Sequence, residues 1–131
     1  MKGYIANIEK TTLENENFRT VLYTAHHSQL VVMSLNPREE IGEEVHTLDQ
    51  FIRIEEGEGL AVLDGVEHVL HDDYAVLIPA GARHNVINTS SEKPMKLYTL
   101  YSPPEHQDGV VRKTREEAMA KEEHFDGKTT E

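Results

Sequence analysis

The chain has no cysteine, no long apolar run and no basic cluster, and each absence removes a class of function. With no cysteine among 131 residues, there is no disulfide framework and no thiolate ligand for a metal. No basic segment leads into an apolar one, and no apolar run reaches the length that crosses a bilayer. Neither a secretory signal nor a membrane span is therefore expected, and the cytoplasm is the expected location. Lys and Arg total 13 against 24 Asp and Glu, a formal net charge of −11. That sign opposes what a phosphate backbone selects, which argues against nucleic acid as a partner. The acidic residues gather at Glu14–Glu16, Glu39–Glu44 and the tail, and read as solvated loops. An anionic ligand would need local cations, for which Arg38, Arg53 and Arg83 are the candidates.

What is present is a series of short β-type runs punctuated by Gly, Pro, Asn and Asp, in a chain long enough for one domain with its own core. Tyr4–Ile8 predicts a short strand, followed by a polar run from Glu9 to Asn17. Phe18–Thr24 is β-branched and aromatic, and the adjacent His26 and His27 then read as a solvated turn. Leu30–Leu35 predicts a buried strand that Asn36-Pro37 stops. Asp64-Gly65, between Leu60–Leu63 and Val66–Leu70, is the strongest hairpin signal in the chain. His68 and His71, three apart, fall on opposite faces of a strand and read as structural or solvated. Lys96–Tyr101 is the last clear strand. Thr114-Arg-Glu-Glu opens as a capping box, predicting a helix to about Glu123, and Phe125–Glu131 is expected to fray.

Two stretches carry chemistry. In the first, Glu44 and His46 are two apart, so an extended chain sends both side chains to one face, and Gln50 follows four later. In the second, Pro79-Ala-Gly-Ala-Arg-His-Asn-Val-Ile-Asn, His84 shares a face with Val86 and Asn88. Two imidazoles, a carboxylate and an amide oxygen form a mixed nitrogen and oxygen donor set of the kind that holds a divalent cation. Phe51 and Ile52 read as core.

This pair of stretches resembles the two motifs of the cupin superfamily. In the first, His46 takes the second histidine position, Glu44 the first, and Gln50 the glutamate position, with Gly57 seven residues on. In the second, Pro79, Gly81, His84 and Asn88 fit the family spacing. Arg38 and Asp73 stand where the family's leading glycines would be. The resemblance covers roughly residues 40 to 90. It implies an all-β fold, the cupin double-stranded β-helix or jelly roll, with a short C-terminal helix. The single domain spans residues 1–131, with a barrel core at about 18–104 and a tail at 105–131.

The resemblance implies a metal centre of Glu44, His46, Gln50 and His84 binding a divalent Mn, Fe, Ni or Zn ion. The residue types are similar to the set in cupin-type mannose-6-phosphate isomerases, with Glu and Gln exchanged in order, and the Gln is also similar to that of the cupin that linearises unsaturated uronates. Glu44 is either a ligand or a catalytic general base. Tyr98 is a second catalytic candidate for proton transfer, or else barrel filling. Three functions stay open: a metal-dependent enzyme acting on a small polar substrate by isomerase, lyase or dioxygenase chemistry, a non-catalytic small-ligand-binding cupin, or a purely structural metal site. Small cupins commonly pair, so a homodimer is expected, through an outer sheet face or an exchanged N-terminal strand.

Overall fold

Burial at every second residue organises the strands. In the computed structural model, which describes residues 1–131, ten strands form two antiparallel sheets. Six of them, β1 (Arg19–Thr24), β2 (Gln29–Leu35), β4 (Asp49–Glu56), β7 (Ala75–Ile78), β9 (Met95–Ser102) and β10 (Val111–Arg112), make a sheet in the order β10-β1-β2-β9-β4-β7. The other four, β3 (Glu44–Val45), β5 (Gly59–Leu63), β6 (Val66–Leu70) and β8 (Arg83–Asn88), make a sheet in the order β3-β8-β5-β6. On β4 the buried residues are Gln50, Ile52 and Ile54; on β8, His84, Val86 and Asn88; on β9, Met95, Leu97, Thr99 and Tyr101 among others. These faces meet between the sheets, where Met33, Leu35, Ile52, Ile54, Met95 and Leu97 are wholly excluded from solvent. Each such side chain contributes about 2 kcal/mol on burial. The expected all-β architecture with a short C-terminal helix is the one found. No helix is long and apolar enough to cross a membrane.

Backbone geometry explains two departures from the family pattern. Arg38 and Asp73, at the positions of the leading glycines, have φ of 63° and 71°. The fold thus keeps the left-handed conformation that glycine adopts freely, and a side chain there carries the steric penalty. The hairpin at Asp64-Gly65 also forms as read, with φ of 47° and 82°, both positive as a type I′ turn requires. Gly59 is needed for another reason: a Cβ there would meet the Ile87 carbonyl oxygen at 2.1 Å.

The ends of the chain differ from the sequence reading. In place of a strand at Tyr4–Ile8, a helix α1 (Ile8–Glu14) forms inside the run read as polar loop. Asn7 caps it by accepting from the Lys10 N–H at 3.1 Å, and the Thr12 hydroxyl, buried, donates to the Ile8 carbonyl at 2.7 Å. Its contacts are with β2, β4 and β9. This helix has only Ile8 and Leu13 as large apolar residues, too few to give a 3.6-residue signal. The helix α2 (Arg115–Ala120) starts at the expected cap, where the Thr114 hydroxyl accepts from the Glu117 N–H at 3.1 Å, but stops before Glu123. Nor does the tail fray: the Thr130 N–H donates to the Thr24 carbonyl at 2.9 Å, and Phe125 N–H to Glu105 at 2.7 Å. The Glu131 carboxylate accepts from the N–H groups of Lys2 and Gly3 and from the Tyr23 hydroxyl.

Candidate metal centre

Strand register brings three of the candidate ligands together. Glu44 on β3 lies directly across from His84 on β8, so their side chains leave the same face as close neighbours. His46 follows just past β3, two residues on, and points the same way. The ligand atoms of Glu44, His46 and His84 all lie within 4.8 Å of one another. The loop carrying His46 is tied to the second motif by its carbonyl, which accepts from the Gly81 N–H at 2.8 Å.

The two rings are prepared differently. His84 is buried, with Nδ1 3.0 Å from the Ala82 carbonyl oxygen. A carbonyl can only accept, so Nδ1 carries the proton and Nε2 presents a bare lone pair, the tautomer a metal requires. His46 has its Nε2 2.7 Å from Glu44 Oε2 and its Nδ1 3.8 Å from Glu105 Oε2. Burial pulls the His46 pKa down, but the Glu44 hydrogen bond and the Glu44 and Glu105 charges more than offset it, leaving it raised. Burial would raise Glu44, yet the His46 bond and the charges of His46 and Arg19 hold it below the usual carboxylate range. Without a metal, the pair is thus biased towards imidazolium and carboxylate. A bound cation would replace the shared proton, since coordination requires neutral imidazole and free carboxylate.

Gln50 supplies the test of fit. Its side chain is buried on the inner face of β4, and its amide nitrogen donates to the Thr99 hydroxyl at 3.1 Å. That bond fixes the amide orientation and leaves Oε1 buried with no hydrogen-bond partner. A sealed carbonyl oxygen without a donor costs free energy unless a cation or other donor meets it. The three groups that converge, two imidazoles and one carboxylate, fit a divalent ion of the first transition row.

Tyr98 does not reach this centre. On β9 it lies on the face opposite Thr99 and Tyr101, beside Phe51, with ring centroids 6.4 Å apart. Both rings are half-buried on the outer face of the sheet, which corrects the reading of Tyr98 as an interior proton donor and of Phe51 as core. Ile52, as read, is fully buried. The interior tyrosine is Tyr101, edge-on to His46 at 6.1 Å and to His106 at 5.2 Å. Burial drives its phenol far above the usual range, so it stays protonated.

The cations also differ from expectation. Arg38 is exposed, Arg83 pairs with Glu43 at 2.8 Å, and Arg53 pairs with Asp73 at 2.9 Å on the outer surface. Two cations are buried: Lys96, whose Nζ donates to the Asn15 carbonyl at 2.6 Å, and Arg19, 9% exposed, which lies beside Glu44 and His46 in the cavity wall. His26, His27, His68 and His71 are exposed, as read. The sequence reading missed Arg19, Glu105, His106 and Glu123. For Arg19 a signal existed in its two-residue spacing from the apolar Val21, but nothing local says which face of β1 points inwards.

Glu44 and His46 open onto a cavity of about 480 Å³. Arg19, Glu105, His106 and Glu123 line it, and Ala118 and Met119 of α2 close one side. A larger cleft of about 670 Å³ lies between Glu56–Glu58, Asp72 and Ser90–Pro94. It has no hydrophobic lining and none of Glu44, His46 and His84, whereas His84 lines a separate pocket of about 210 Å³ with Arg83 and Asn85.

Residues 31–101 match the family described as the cupin domain. The uncharacterised protein YrkC of Bacillus subtilis strain 168 is 43% identical over 129 residues, covering 93% of this chain and 69% of its own. The uncharacterised protein L612 of Acanthamoeba polyphaga mimivirus is 43% identical over 112 residues, covering 82% and 70%. Among solved structures, the crystal structure of BH2720 from Bacillus halodurans is 44% identical, covers 92% of this chain and 96% of its own, and superposes with a TM-score of 0.89. Fold, paired motifs and relatives agree: this chain belongs to the cupin family.

Proposed function

We propose that the protein is a divalent-metal enzyme acting on a small polar substrate, sugar-like or an organic acid, by isomerase, lyase or dioxygenase chemistry. One observation carries this reading: Glu44, His46 and His84 converge within 4.8 Å, with the His84 tautomer fixed so that Nε2 is free. Gln50, through its buried and unpartnered Oε1, is proposed as the fourth donor. A bound Mn, Fe, Ni or Zn ion would supply Lewis acidity and lower the pKa of a coordinated water. Glu44 contributes charge, and its side chain is 36% exposed at the cavity wall, so it can face both the ion and the substrate. That openness favours a reactive centre over a closed structural one, whose ligands come from the protein alone. Glu105 steadies the outer edge of His46, and Tyr101 walls the ring from behind.

Elemental analysis after metal repletion tests the reading. About one ion per chain is expected, and His46→Ala should abolish binding while the protein remains folded. A protein that takes up no metal refutes it. We further propose a homodimer. Val69 of β6 and Leu77 of β7, at the free edges of the two sheets, are exposed and line a mostly apolar groove with Tyr74. A second copy of the chain would cover apolar surface and unpaired strand edges at once. Light scattering that reports a monomer at micromolar concentration would contradict the pairing.

A further inference from the structure

We propose that Arg19 is the anchor for a carboxylate group of the ligand that enters the cavity beside Glu44, His46 and His84. The proposal deepens the function just given and rests on it for the ligand's attachment at the metal. Arg19 lies on the inward face of β1 with Val21, opposite Met33 of β2. It is nine-tenths buried, yet its guanidinium forms no ion pair, and its Nε is sealed from solvent without a hydrogen-bond partner. Its guanidinium lies over the Phe18 ring, 5.4 Å from Cζ to centroid. A buried cation in this condition is costly, and an apolar side chain would pack there at lower cost.

The nearby carboxylates do not fill the vacancy. Glu44 is bonded to His46 at 2.7 Å. Glu105 lies between His46 at 3.8 Å and His124 at 3.1 Å. Glu123 is held by His106 at 2.9 Å and Arg112 at 3.3 Å. Each acts on Arg19 only from a distance, and the planar fork of donors stays free for a ligand.

The wall chemistry selects the kind of anion. Glu43, Glu44, Glu105, Glu122 and Glu123 all line the cavity, and Arg19 is its only arginine or lysine. A doubly charged phosphate would face this acidic lining with one cation to hold it, whereas a singly charged carboxylate matches one guanidinium. His106 adds a second vacancy on the same wall. Its Nδ1 donates to Glu123, and its Nε2 is buried without a partner, an acceptor for a hydroxyl on the ligand. A small hydroxy-carboxylate satisfies both groups.

Calorimetric titration of the full chain tests this with two matched pairs, lactate against lactamide and gluconate against sorbitol, on metal-loaded and on chelator-stripped protein. The wild type should bind the acids about tenfold or more tightly than their neutral partners, the scale of a charge-assisted pair. Arg19→Met should reduce that ratio to about one, and Arg19→Lys should leave it intermediate, because an ammonium lacks the fork. Arg19→Met should melt no lower than the wild type, since it removes an unpaired buried charge. If Arg19→Met fails to fold while Arg19→Lys is stable, Arg19 belongs to the scaffold and the proposal is overturned. Wild-type protein that binds none of the acids overturns it too, as does an acid preference that survives in Arg19→Met. Elemental analysis of the same samples keeps the two readings apart. Absent metal with an Arg19-dependent acid preference removes the metal centre and leaves the anchor standing, and the reverse result removes the anchor alone.

Discussion

Asn88 offers the sharpest test of how the scaffold holds the centre. It lies four residues along β8 from His84, on the same face, with no solvent exposure. Its Nδ2 donates to the carbonyls of Leu35 at 3.2 Å, Asn36 at 3.0 Å and Lys93 at 2.9 Å, and its Oδ1 accepts from the Ser90 N–H at 3.0 Å. One amide thus joins the end of β2, the loop after β8 and the approach to β9. Asn88→Ala removes these bonds and leaves the Leu35 and Lys93 carbonyls and the Ser90 N–H short of them, while the Asn36 carbonyl keeps the Glu39 N–H at 3.0 Å. Solvent can reach some of them, because all but the Leu35 contact are only partly buried. Counting about 1 kcal/mol per lost bond, and more where the partner stays dry, gives a loss of roughly 3–5 kcal/mol. For a chain of this size, that is a fall in melting temperature of about 10–18 °C. It would consume much of a typical domain's total stability, about 5–15 kcal/mol. Thermal unfolding followed by circular dichroism measures it, with elemental analysis on the folded fraction. Metal content per folded chain should be unchanged, because Asn88 is not a ligand. Asn88→Asp should be worse than Asn88→Ala, since it turns a carboxylate towards three carbonyl oxygens. A fall of less than about 4 °C in Asn88→Ala would refute the reasoning.

Three further outcomes are expected. If Glu44 is a ligand, Glu44→Gln weakens metal affinity, by about tenfold or more on the scale of perturbed metal sites, read by competition with a chelator; unchanged metal content with lost turnover would make it a base instead. Burial lowers the His106 pKa, and Glu123 is lowered chiefly by the His106 bond against the opposing effect of burial. Groups with depressed pKa stabilise the fold above their unfolded values and lose that contribution as the pH falls through the folded ones. The metal-free protein should therefore lose melting temperature on acidification from about pH 6.5 downwards, and His106→Gln should flatten the upper part of that limb. His46, raised by Glu44, acts in the opposite sense, so the comparison between variants, rather than the raw curve, is decisive. Arg38→Gly should raise the melting temperature by a few degrees, because removing left-handed strain of about 1–2 kcal/mol outweighs the added freedom of the unfolded chain; a fall would show that Arg38 makes a contact worth more than its strain.

The sequence alone determined the features that are local or repeat at fixed spacing. The Asp64-Gly65 turn is specified by the two positive φ angles it needs. The α2 start is specified by Thr114. Glu44, His46 and His84 were legible because residues two apart share a strand face and because the motif spacing is rigid. Gln50 was legible from the same spacing, though only the fold showed that its Oε1 is sealed and unpartnered. Tertiary structure decided which face of each strand is inside. Lys96–Tyr101 contains tyrosines at 98 and 101, an odd separation, so one of them must point out, and only the opposing sheet selects Tyr101 as the buried one. The same choice buries Arg19 beside Val21 and leaves Arg38, Arg53 and Arg83 outside. The tail is similar: His106, Glu123 and Glu131 read as ordinary polar residues until β1, β10 and α2 bring their partners within bonding distance. Period-two alternation defines two faces for a strand but does not label them. The label comes from whatever packs across the barrel, and those contacts join residues far apart in the chain.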